Sequence, residues 1–209
     1  MKINIDKLFQ NKIKESRITA PSKLWSAIET KLKGCFILEP SILKDPRGYF
    51  FESFNQNKFN ALIGQEIKFV QDNESFSSKG VLRGLHFQHG DYAQAKLVRV
   101  LSGKVLDIAV DLRKQSKTFG QHIAVELSGE SRTQLFVPRG FAHGFVVLSE
   151  EATFFYKCDN YYNKASEGGI AFNDPDLKID WKLPKDQLLI SEKDKQLPLL
   201  RECSNSLQF

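Results

Sequence analysis

Residues 81–113 read "VLRGLHFQHGDYAQAKLVRVLSGKVLDIAVDLR" and hold three short runs that are apolar or alternate between apolar and polar residues. Ser102-Gly103 supplies turn residues between the second and third runs, and no glycine-rich strand-to-helix loop separates them. Runs of this length that end in turn residues predict β-strands. Because no helical pattern intervenes, consecutive strands of this kind predict an antiparallel sandwich or barrel.

The same pattern continues on both sides, and about ten strands fit between Cys35 and Cys158. The other predicted runs are "CFILEP", "GYFFESF", "IKFVQD", "HIAVELSG", "TQLFVPRG", "GFVVLS" and "ATFFYKC". The chain also has 17 phenylalanines, enough to fill the interior of a barrel. We therefore expect an all-β fold with most of these rings in its core.

A different pattern precedes residue 35. Leu24, Ile28 and Leu32 recur every four residues, as on one face of a helix. Proline is tolerated in a first helical turn, as at Pro21, and Gly34 follows as a stop signal. These features predict one amphipathic helix at about residues 22–33. We expect an N-terminal extension at 1–34 and one domain at 35–209, with short helical segments near the C-terminus.

The net charge is concentrated in the same extension. Residues 1–34 hold eight Lys or Arg and three Asp or Glu, which accounts for the whole net charge of +5. A nucleic-acid-binding domain is expected to carry its basic residues on the folded body. A nucleic-acid partner is therefore not expected.

Membrane and secreted classes are also disfavoured. No run of about 18 apolar residues is present, and the N-terminus lacks the apolar stretch of a signal peptide. The three cysteines are odd in number and widely spaced. These features predict a soluble cytoplasmic protein with free thiols.

His86 is the first candidate functional residue. The period of two in "VLRGLHFQ" places Leu82, Gly84, His86 and Gln88 on one face of the strand and Arg83, Leu85 and Phe87 on the other. Gly84 permits a bulge that would bring Arg83 to the same side as His86. A single strand histidine is often only a hydrogen-bonded structural residue, so this pattern leaves both interpretations open.

Two patterns echo the cupin barrel. Gly80 and His86 resemble the start of the first cupin motif, and "PRGFAH" at 138–143 resembles the core of the second. Metal-binding cupins place a second histidine two residues after the first and a glutamate about four residues later, because a divalent ion needs three or four ligands. Here those positions hold Gln88 and Tyr92-Ala93, so we expect no metal. Proton transfer is the chemistry left to His86.

Longer blocks resemble the dTDP-4-dehydrorhamnose 3,5-epimerase family. They run in the family's order over about residues 35–200: "DPRGYFFESF", "FVQDNES", "VLRGLHFQ", "QAKLVRVLSG", "PRGFAHGF", "YKCDNYYNKASEGGIAFNDPDLKIDW" and "SEKD". The resemblance implies a cupin-type antiparallel β-barrel, or jelly roll. It also implies a cofactor-free epimerase that inverts C3 and C5 of dTDP-4-keto-6-deoxy-D-glucose on the way to dTDP-L-rhamnose, a cell-surface sugar precursor.

The same resemblance implies the catalytic residues. His86 is the expected base, Asp194 its dyad partner, Lys96 the cation that stabilises the enolate at O4, and Tyr156 the acid on the opposite face. The residues alone leave alternatives open, because Lys96 would also suit an exposed strand edge and aromatic residues such as Tyr156 are common in strands.

Substrate contacts and a homodimer are implied as well. Arginines offer forked donors for phosphate oxygens. In family members, strands near the N-terminus cross to the neighbouring subunit's site, including the region of Arg47 and Glu52. Turn formation is an alternative role for Asp72-Asn73. The expected contact residues are Arg47, Glu52, Gln71, Asp72, Asn73, Arg83, His143, Glu167 and Lys193.

Three other functions make different predictions for the same residues. A single-centre (C3 or C5) epimerase of a related nucleotide 4-keto sugar, including one with another nucleotide or a heptose, needs only a shifted sugar relative to His86 and Tyr156. A non-catalytic sugar-nucleotide-binding barrel predicts that His86 is dispensable. A metal-dependent cupin predicts that chelation abolishes activity.

Overall fold

The computed structural model describes residues 17–19, 25–203, 207 and 209. These residues are mostly β-structure, with a few short helices. The helices are α1 (Gln56–Ile63), α2 (Glu192–Lys195) and α3 (Leu200–Cys203). The strands are β1 (Arg17–Thr19), β2 (Trp25–Glu29), β3 (Phe36–Pro40), β4 (Leu43–Asp45), β5 (Gly48–Phe50), β6 (Gln71–Ser78), β7 (Val81–Gln88), β8 (Lys96–Ser102), β9 (Lys104–Asp111), β10 (His122–Ser128), β11 (Gln134–Val137), β12 (Phe141–Val147), β13 (Glu151–Cys158), β14 (Glu167–Gly169) and β15 (Leu189–Ile190).

Two large sheets contain most of the strands. The first has seven strands in the order β1-β2-β3-β11-β8-β13-β6, and all its pairs are antiparallel. The second has the order β10-β9-β12-β7-β14, and β15 adds to β7 in parallel. Strands β4 and β5 pair only with each other. The antiparallel arrangement confirms the expected all-β class, and within the described residues the two large sheets share no strand.

The two sheets pack face to face. The core between them takes Val98 and Phe154 from the first sheet and Ala109 and Phe145 from the second. The outer face of the first sheet is covered by α1, whose Phe59 is fully buried against Phe136. The C-terminal segment covers the outer face of the second sheet. This two-layer arrangement leaves side chains that point between the sheets free to build an internal site.

The prediction of a helix at about residues 22–33 is wrong for residues 25–33, the part of that range that the structure describes. Residues 25–29 form strand β2, in which Trp25 and Ala27 are buried on one face and pack on the outer side of the first sheet. Pairing with β1 and β3 satisfies the backbone of β2, and this tertiary context overrides a weak helical period. Gly34 does adopt a positive φ of 85°, but it serves the turn between two strands. The first sheet therefore runs across the expected boundary at residue 34, and residues 22–24 lie outside the described part of the chain.

A bulge in β7 changes which side chains face inward. His143 pairs with His86, but Phe145 pairs with Arg83, so β7 has one extra residue between them. A Cβ on Gly84 would lie 2.6 Å from Gly144 Cα, so only glycine fits this crossing. Leu82, Leu85 and Phe87 therefore all pack outward, and the strict alternation predicted for this strand is wrong. The predicted consequence is confirmed, since Arg83 and His86 share the inner face.

Two further expectations concern other parts of the chain. The short helical segments expected near the C-terminus are confirmed as α2 and α3. No helix in residues 17–19 and 25–203 is long and apolar enough to cross a membrane.

Candidate active site

The inner faces of the two sheets bring together five polar side chains. Lys96 and Tyr156 come from the first sheet, on the face of β8 and β13 that also carries Val98 and Phe154. The second sheet contributes His86, Asp107 and His143. Apolar neighbours on both sides exclude water from the floor of this space, so electrostatic interactions between charged groups here are stronger than they would be in water.

His86 and Asp194 form a hydrogen-bonded pair. His86 Nε2 lies 2.7 Å from Asp194 Oδ1, and the backbone N–H of Gly84 donates to Asp194 Oδ2 at 3.2 Å. The bulge places that N–H where the carboxylate can reach it. Asp194 lies on α2, where its own backbone N–H donates to the capping Ser191 hydroxyl. The carboxylate thus orients the imidazole and is itself held by the main chain.

Electrostatics keep this carboxylate ionised. Burial by itself raises the pKa of Asp194, but the hydrogen bond and charge interaction with His86, together with the donors Gly84 and Ser191, hold it below its ordinary value. Asp194 is only 4% exposed, whereas the His86 side chain is about a third exposed. The pair therefore presents one open imidazole backed by a buried negative charge.

Lys96 and Tyr156 lie beside each other on neighbouring strands. Lys96 Nζ is 5.7 Å from the centre of the Tyr156 ring. Burial lowers the pKa of Lys96, although the charges of Cys158, Asp107 and Glu167 oppose this. Burial likewise raises the pKa of the Tyr156 hydroxyl. Within the described part of the chain no carboxylate lies within ion-pair distance of Lys96 Nζ, so this cation is available to a substrate oxygen.

A second histidine–aspartate pair lies next to the first. His143 is the cross-strand partner of His86, and its Nε2 lies 2.9 Å from Asp107 Oδ1. Asp107 is fully buried, and burial raises its pKa against the opposing effects of His143 and Lys96. Sequence reasoning missed Asp107. The signal was a lone acidic residue within the apolar run "KVLDIAV", because a carboxylate is buried only when it is paired.

Several other expected residues surround the opening. Glu167 pairs with Lys193 at 2.7 Å and accepts a hydrogen bond from the Tyr162 hydroxyl at 3.0 Å. The ion pair with Lys193 lowers the pKa of Glu167. Arg83 donates a hydrogen bond to the Ser77 hydroxyl at 3.2 Å. Its positive charge lowers the pKa of Tyr156, against the larger effect of burial.

Strand β6 carries three expected residues on its two faces. Gln71 and Asn73 are cross-strand partners of Cys158 and Tyr156 and lie on the inner side, where the Gln71 side chain donates to Asn73 Oδ1 at 3.1 Å. Asp72 is on the opposite face and pairs with Lys157 at 2.9 Å. The strand period therefore separates Asp72 from its two neighbours.

Arg47 and Glu52 are not brought to this site within one chain. The Arg47 side chain is 90% exposed and pairs only with Asp45, across the β4–β5 turn, among the described residues. Glu52 pairs with Lys58 of α1, and its carbonyl accepts from the Trp25 indole N–H. Both lie on the segment outside the first sheet.

Across residues 17–19 and 25–203, no group of three His, Cys, Asp or Glu side chains is arranged to hold a metal ion. The Gln88 amide instead bonds backbone groups of two loops. A histidine backed by a carboxylate and a partly buried cation can together supply proton transfer next to a stabilised negative charge.

Comparisons with known proteins identify a family for this chain. The family model described as dTDP-4-dehydrorhamnose 3,5-epimerase matches residues 29–202. The dTDP-4-dehydrorhamnose 3,5-epimerase of Salmonella typhimurium is 55% identical over 176 residues, which is 83% of this chain and 94% of that protein.

Solved structures give the same result. The crystal structure of dTDP-4-dehydrorhamnose 3,5-epimerase from Elizabethkingia anophelis is 57% identical, with a TM-score of 0.83 over 85% of this chain and 97% of that one. The dTDP-6-deoxy-D-glucose-3,5-epimerase of Legionella pneumophila, solved with dTDP-4-keto-L-rhamnose, is 47% identical, with a TM-score of 0.84 over 88% of this chain and 98% of that one. On sequence and structure together, the chain belongs to the dTDP-4-dehydrorhamnose 3,5-epimerase family.

Proposed function

We propose that this chain inverts C3 and C5 of dTDP-4-keto-6-deoxy-D-glucose to give dTDP-4-keto-L-rhamnose, and that His86 is the base. The observation that carries this proposal is the 2.7 Å contact of His86, on one sheet, with Asp194. Lys96, which has no carboxylate within ion-pair distance among the described residues, lies on the inner face of the other sheet. A base and an oxyanion stabiliser on opposite walls match the needs of proton removal next to a carbonyl.

The first half of each inversion is abstraction. The C4 carbonyl acidifies the C–H bonds at C3 and C5. His86 takes the proton, the C–H electron pair forms the enolate double bond, and negative charge develops on O4. Asp194 stabilises the imidazolium that results, since its carboxylate is already ionised and aimed at Nε2.

Lys96 supplies the electrostatic part. Its ammonium lies in a partly buried, water-poor environment, where a cation aimed at O4 stabilises the enolate more than the ketone. Acid–base catalysis contributes about 10²- to 10⁴-fold, so a stabiliser of this kind is needed as well.

The second half is protonation from the opposite face. Tyr156 lies on the other sheet from His86, and its raised pKa keeps the hydroxyl protonated until the enolate forms. The proton passes from Tyr156 to carbon, and the enolate electron pair forms the new C–H bond.

Tyr156→Phe is expected to leave proton abstraction by His86 within about threefold of the wild-type rate and to lower formation of inverted product by at least about 10²-fold. Only the hydroxyl is removed, so the packing against Phe154 is kept. Quenched-flow samples are analysed by NMR for exchange of the C3 and C5 protons with solvent and for the amount of inverted product. The first quantity reports on proton abstraction and the second on protonation from the opposite face. An unchanged rate and product ratio would remove Tyr156 from the mechanism.

The remaining expected contacts form the proposed substrate-binding set. Arg83 and His143 lie on the inner wall beside His86, and Asp107 fixes the His143 ring. Glu167 and Lys193 lie at the opening. The other proposed contacts are Arg47, Glu52, Gln71, Asp72 and Asn73.

A homodimer would bring the outlying members of that set to a site. Leu43, Tyr49 and Phe50 of the β4–β5 hairpin are all more than half exposed, and Arg47 projects from its turn. We place this hairpin at the neighbouring subunit's active site, where the exposed apolar surface is covered. Sedimentation of the chain as a single 23.9 kDa species would contradict this assignment. We further propose that the two-sheet sandwich is of the cupin type and that the chain acts in the cytoplasm on a nucleotide sugar.

Solvent exchange tests the function directly. The purified chain is incubated with dTDP-4-keto-6-deoxyglucose in deuterated water, and each sugar proton is followed by NMR. Loss of signal at both C3 and C5, with a reductase converting the product to dTDP-L-rhamnose, is the expected result. Exchange at one carbon only would identify a single-centre epimerase, and exchange at neither would reject this substrate.

A further inference from the structure

Gln88 is a buried polar residue that the proposed reaction does not use. It lies two residues after His86 on β7, at the position where metal-binding cupins carry a second histidine, and is 5% exposed. Its amide nitrogen donates to the carbonyl oxygens of Tyr92 at 3.0 Å and Tyr161 at 3.2 Å. Its amide oxygen accepts from the backbone N–H of Asn163 at 2.6 Å. One side chain thus bonds three backbone groups in two different loops.

One of these loops leads to the opening of the site. Tyr161 and Tyr162 expose more than half of their surface, and the Tyr162 hydroxyl donates to Glu167. Glu167 in turn is the cross-strand partner of Gln88 and the ion-pair partner of Lys193. The backbone of residues 161–163 is therefore hydrogen-bonded, through Gln88, to the strand that carries His86.

Other side chains support the same loop from its edges. Gln94 donates to the carbonyl of Asn160 at 2.8 Å, and the Tyr162 N–H donates to Gln71 at 3.1 Å. Each of these makes one bond to the loop, whereas Gln88 makes two and adds a third to the loop of Tyr92. A buried amide with three satisfied bonds is costly to replace and fixes its partners in one arrangement.

We propose that Gln88 is a positioning residue that holds residues 161–163, with the exposed Tyr161 and Tyr162, in one arrangement at the opening where the substrate enters. It acts on binding through the loop and leaves proton transfer by His86 unchanged. Holding the loop before substrate arrives removes an ordering cost from the binding step. This inference rests on the proposed function, since it assumes a substrate that reaches from His86 to the opening.

Two substitutions separate the parts of the contact. Gln88→Met keeps a similar volume and removes all three bonds. Gln88→Glu keeps the acceptor for the Asn163 N–H but turns a carboxylate oxygen toward the carbonyls of Tyr92 and Tyr161. Protonation of that glutamate restores one donor, so lowering the pH is expected to recover part of the loss in Gln88→Glu and none in Gln88→Met.

Both variants are expected to raise KM for the dTDP-4-keto sugar by about tenfold, the effect of losing one to two net hydrogen bonds, while kcat stays within about twofold. Exchange of the backbone amides in residues 159–166, measured by mass spectrometry, is expected to become faster and to be slowed again by saturating dTDP. Gln56→Met is the matched control. It removes the hydrogen bonds that the Gln56 side-chain amide donates to the Ile67 carbonyl and to Asn60 Oδ1, on the outer side of the first sheet near α1. Its KM is expected to equal that of the wild type.

Several results would overturn the inference. They are an unchanged KM with unchanged amide exchange, a fall in kcat without a rise in KM, or the same rise in KM in Gln56→Met. Affinity for dTDP itself, measured by calorimetry, keeps the two proposals distinguishable. If the wild type binds dTDP but exchanges no sugar proton, the proposed function fails, and the affinity of Gln88→Met still tests the loop.

Discussion

His86→Asn is expected to lower solvent exchange at both C3 and C5 by at least about 10³-fold, because it removes the base from both abstractions. Asparagine places its amide nitrogen near the position of the histidine Nδ1, so it does not reach Asp194 as Nε2 does at 2.7 Å, but the backbone N–H of Gly84 still donates to Asp194 Oδ2 at 3.2 Å. The buried carboxylate therefore keeps a partner, and the loss reports on chemistry and not on folding. The measurement is the rate of deuterium incorporation at each carbon, followed by NMR at saturating substrate.

Two observations make this a sharp test of His86. Binding of dTDP is expected to stay within about threefold of the wild-type value, since the nucleotide contacts are made elsewhere. His122→Asn is the matched control, because His122 lies on the edge strand β10 and makes no contact with the site in the described chain. Exchange that persists at either carbon in His86→Asn would show that another group acts as the base there.

Lys96→Met is expected to reduce kcat by about 10²- to 10³-fold, the effect of removing one oxyanion-stabilising group from a water-poor site. Methionine preserves much of the aliphatic stem that packs between the sheets, so the change removes mainly the charge. Lys104→Met, on an exposed position of β9, controls for the loss of a strand lysine. A rate for Lys96→Met within a few-fold of the wild type would exclude Lys96 as the stabiliser of O4.

The same residue makes a signed prediction about pH. Burial lowers the pKa of Lys96, and the protonated form is the one that stabilises the enolate. Activity is therefore expected to fall as the pH rises through that lowered value, at a lower pH than an ordinary lysine would produce. In Lys96→Arg the cation does not titrate in this range, so the residual activity should lack this alkaline limb.

The strands around the site were largely predictable. Residues 81–88 form a strand with the expected bounds, because the run is β-rich and closed by turn residues at both ends. The expected run "IKFVQD" fails for a physical reason. Ile67 and Phe69 pack against the cluster around α1 as irregular chain, and the strand forms afterwards over Gln71–Ser78. That strand is polar because it is a sheet edge, where the hydrophobic signal is weak.

The site was predictable in identity and only partly in arrangement. His86, Lys96, Tyr156 and Asp194 were named from blocks that match the family, and the structure brings His86 and Asp194 into contact from residues 108 positions apart. Their catalytic roles stay predictions until the variants are measured. Asp107 could be recognised as a site residue only from the fold, because its pairing with His143 depends on strands β9 and β12, which are adjacent in the sheet but not in the sequence.

Local pattern by itself determined the all-β class, the turns and the residue types available for proton transfer, since the period of two and the turn residues are properties of short stretches. Only the tertiary structure decided which face each strand presents. One extra residue in β7 puts Arg83 on the inner face with His86 and Leu82 on the outer face with Leu85. It likewise decided that residues 25–29 are a strand and that Asp72 faces away from Asn73. These outcomes depend on cross-strand register and on burial against distant residues, which no local period encodes.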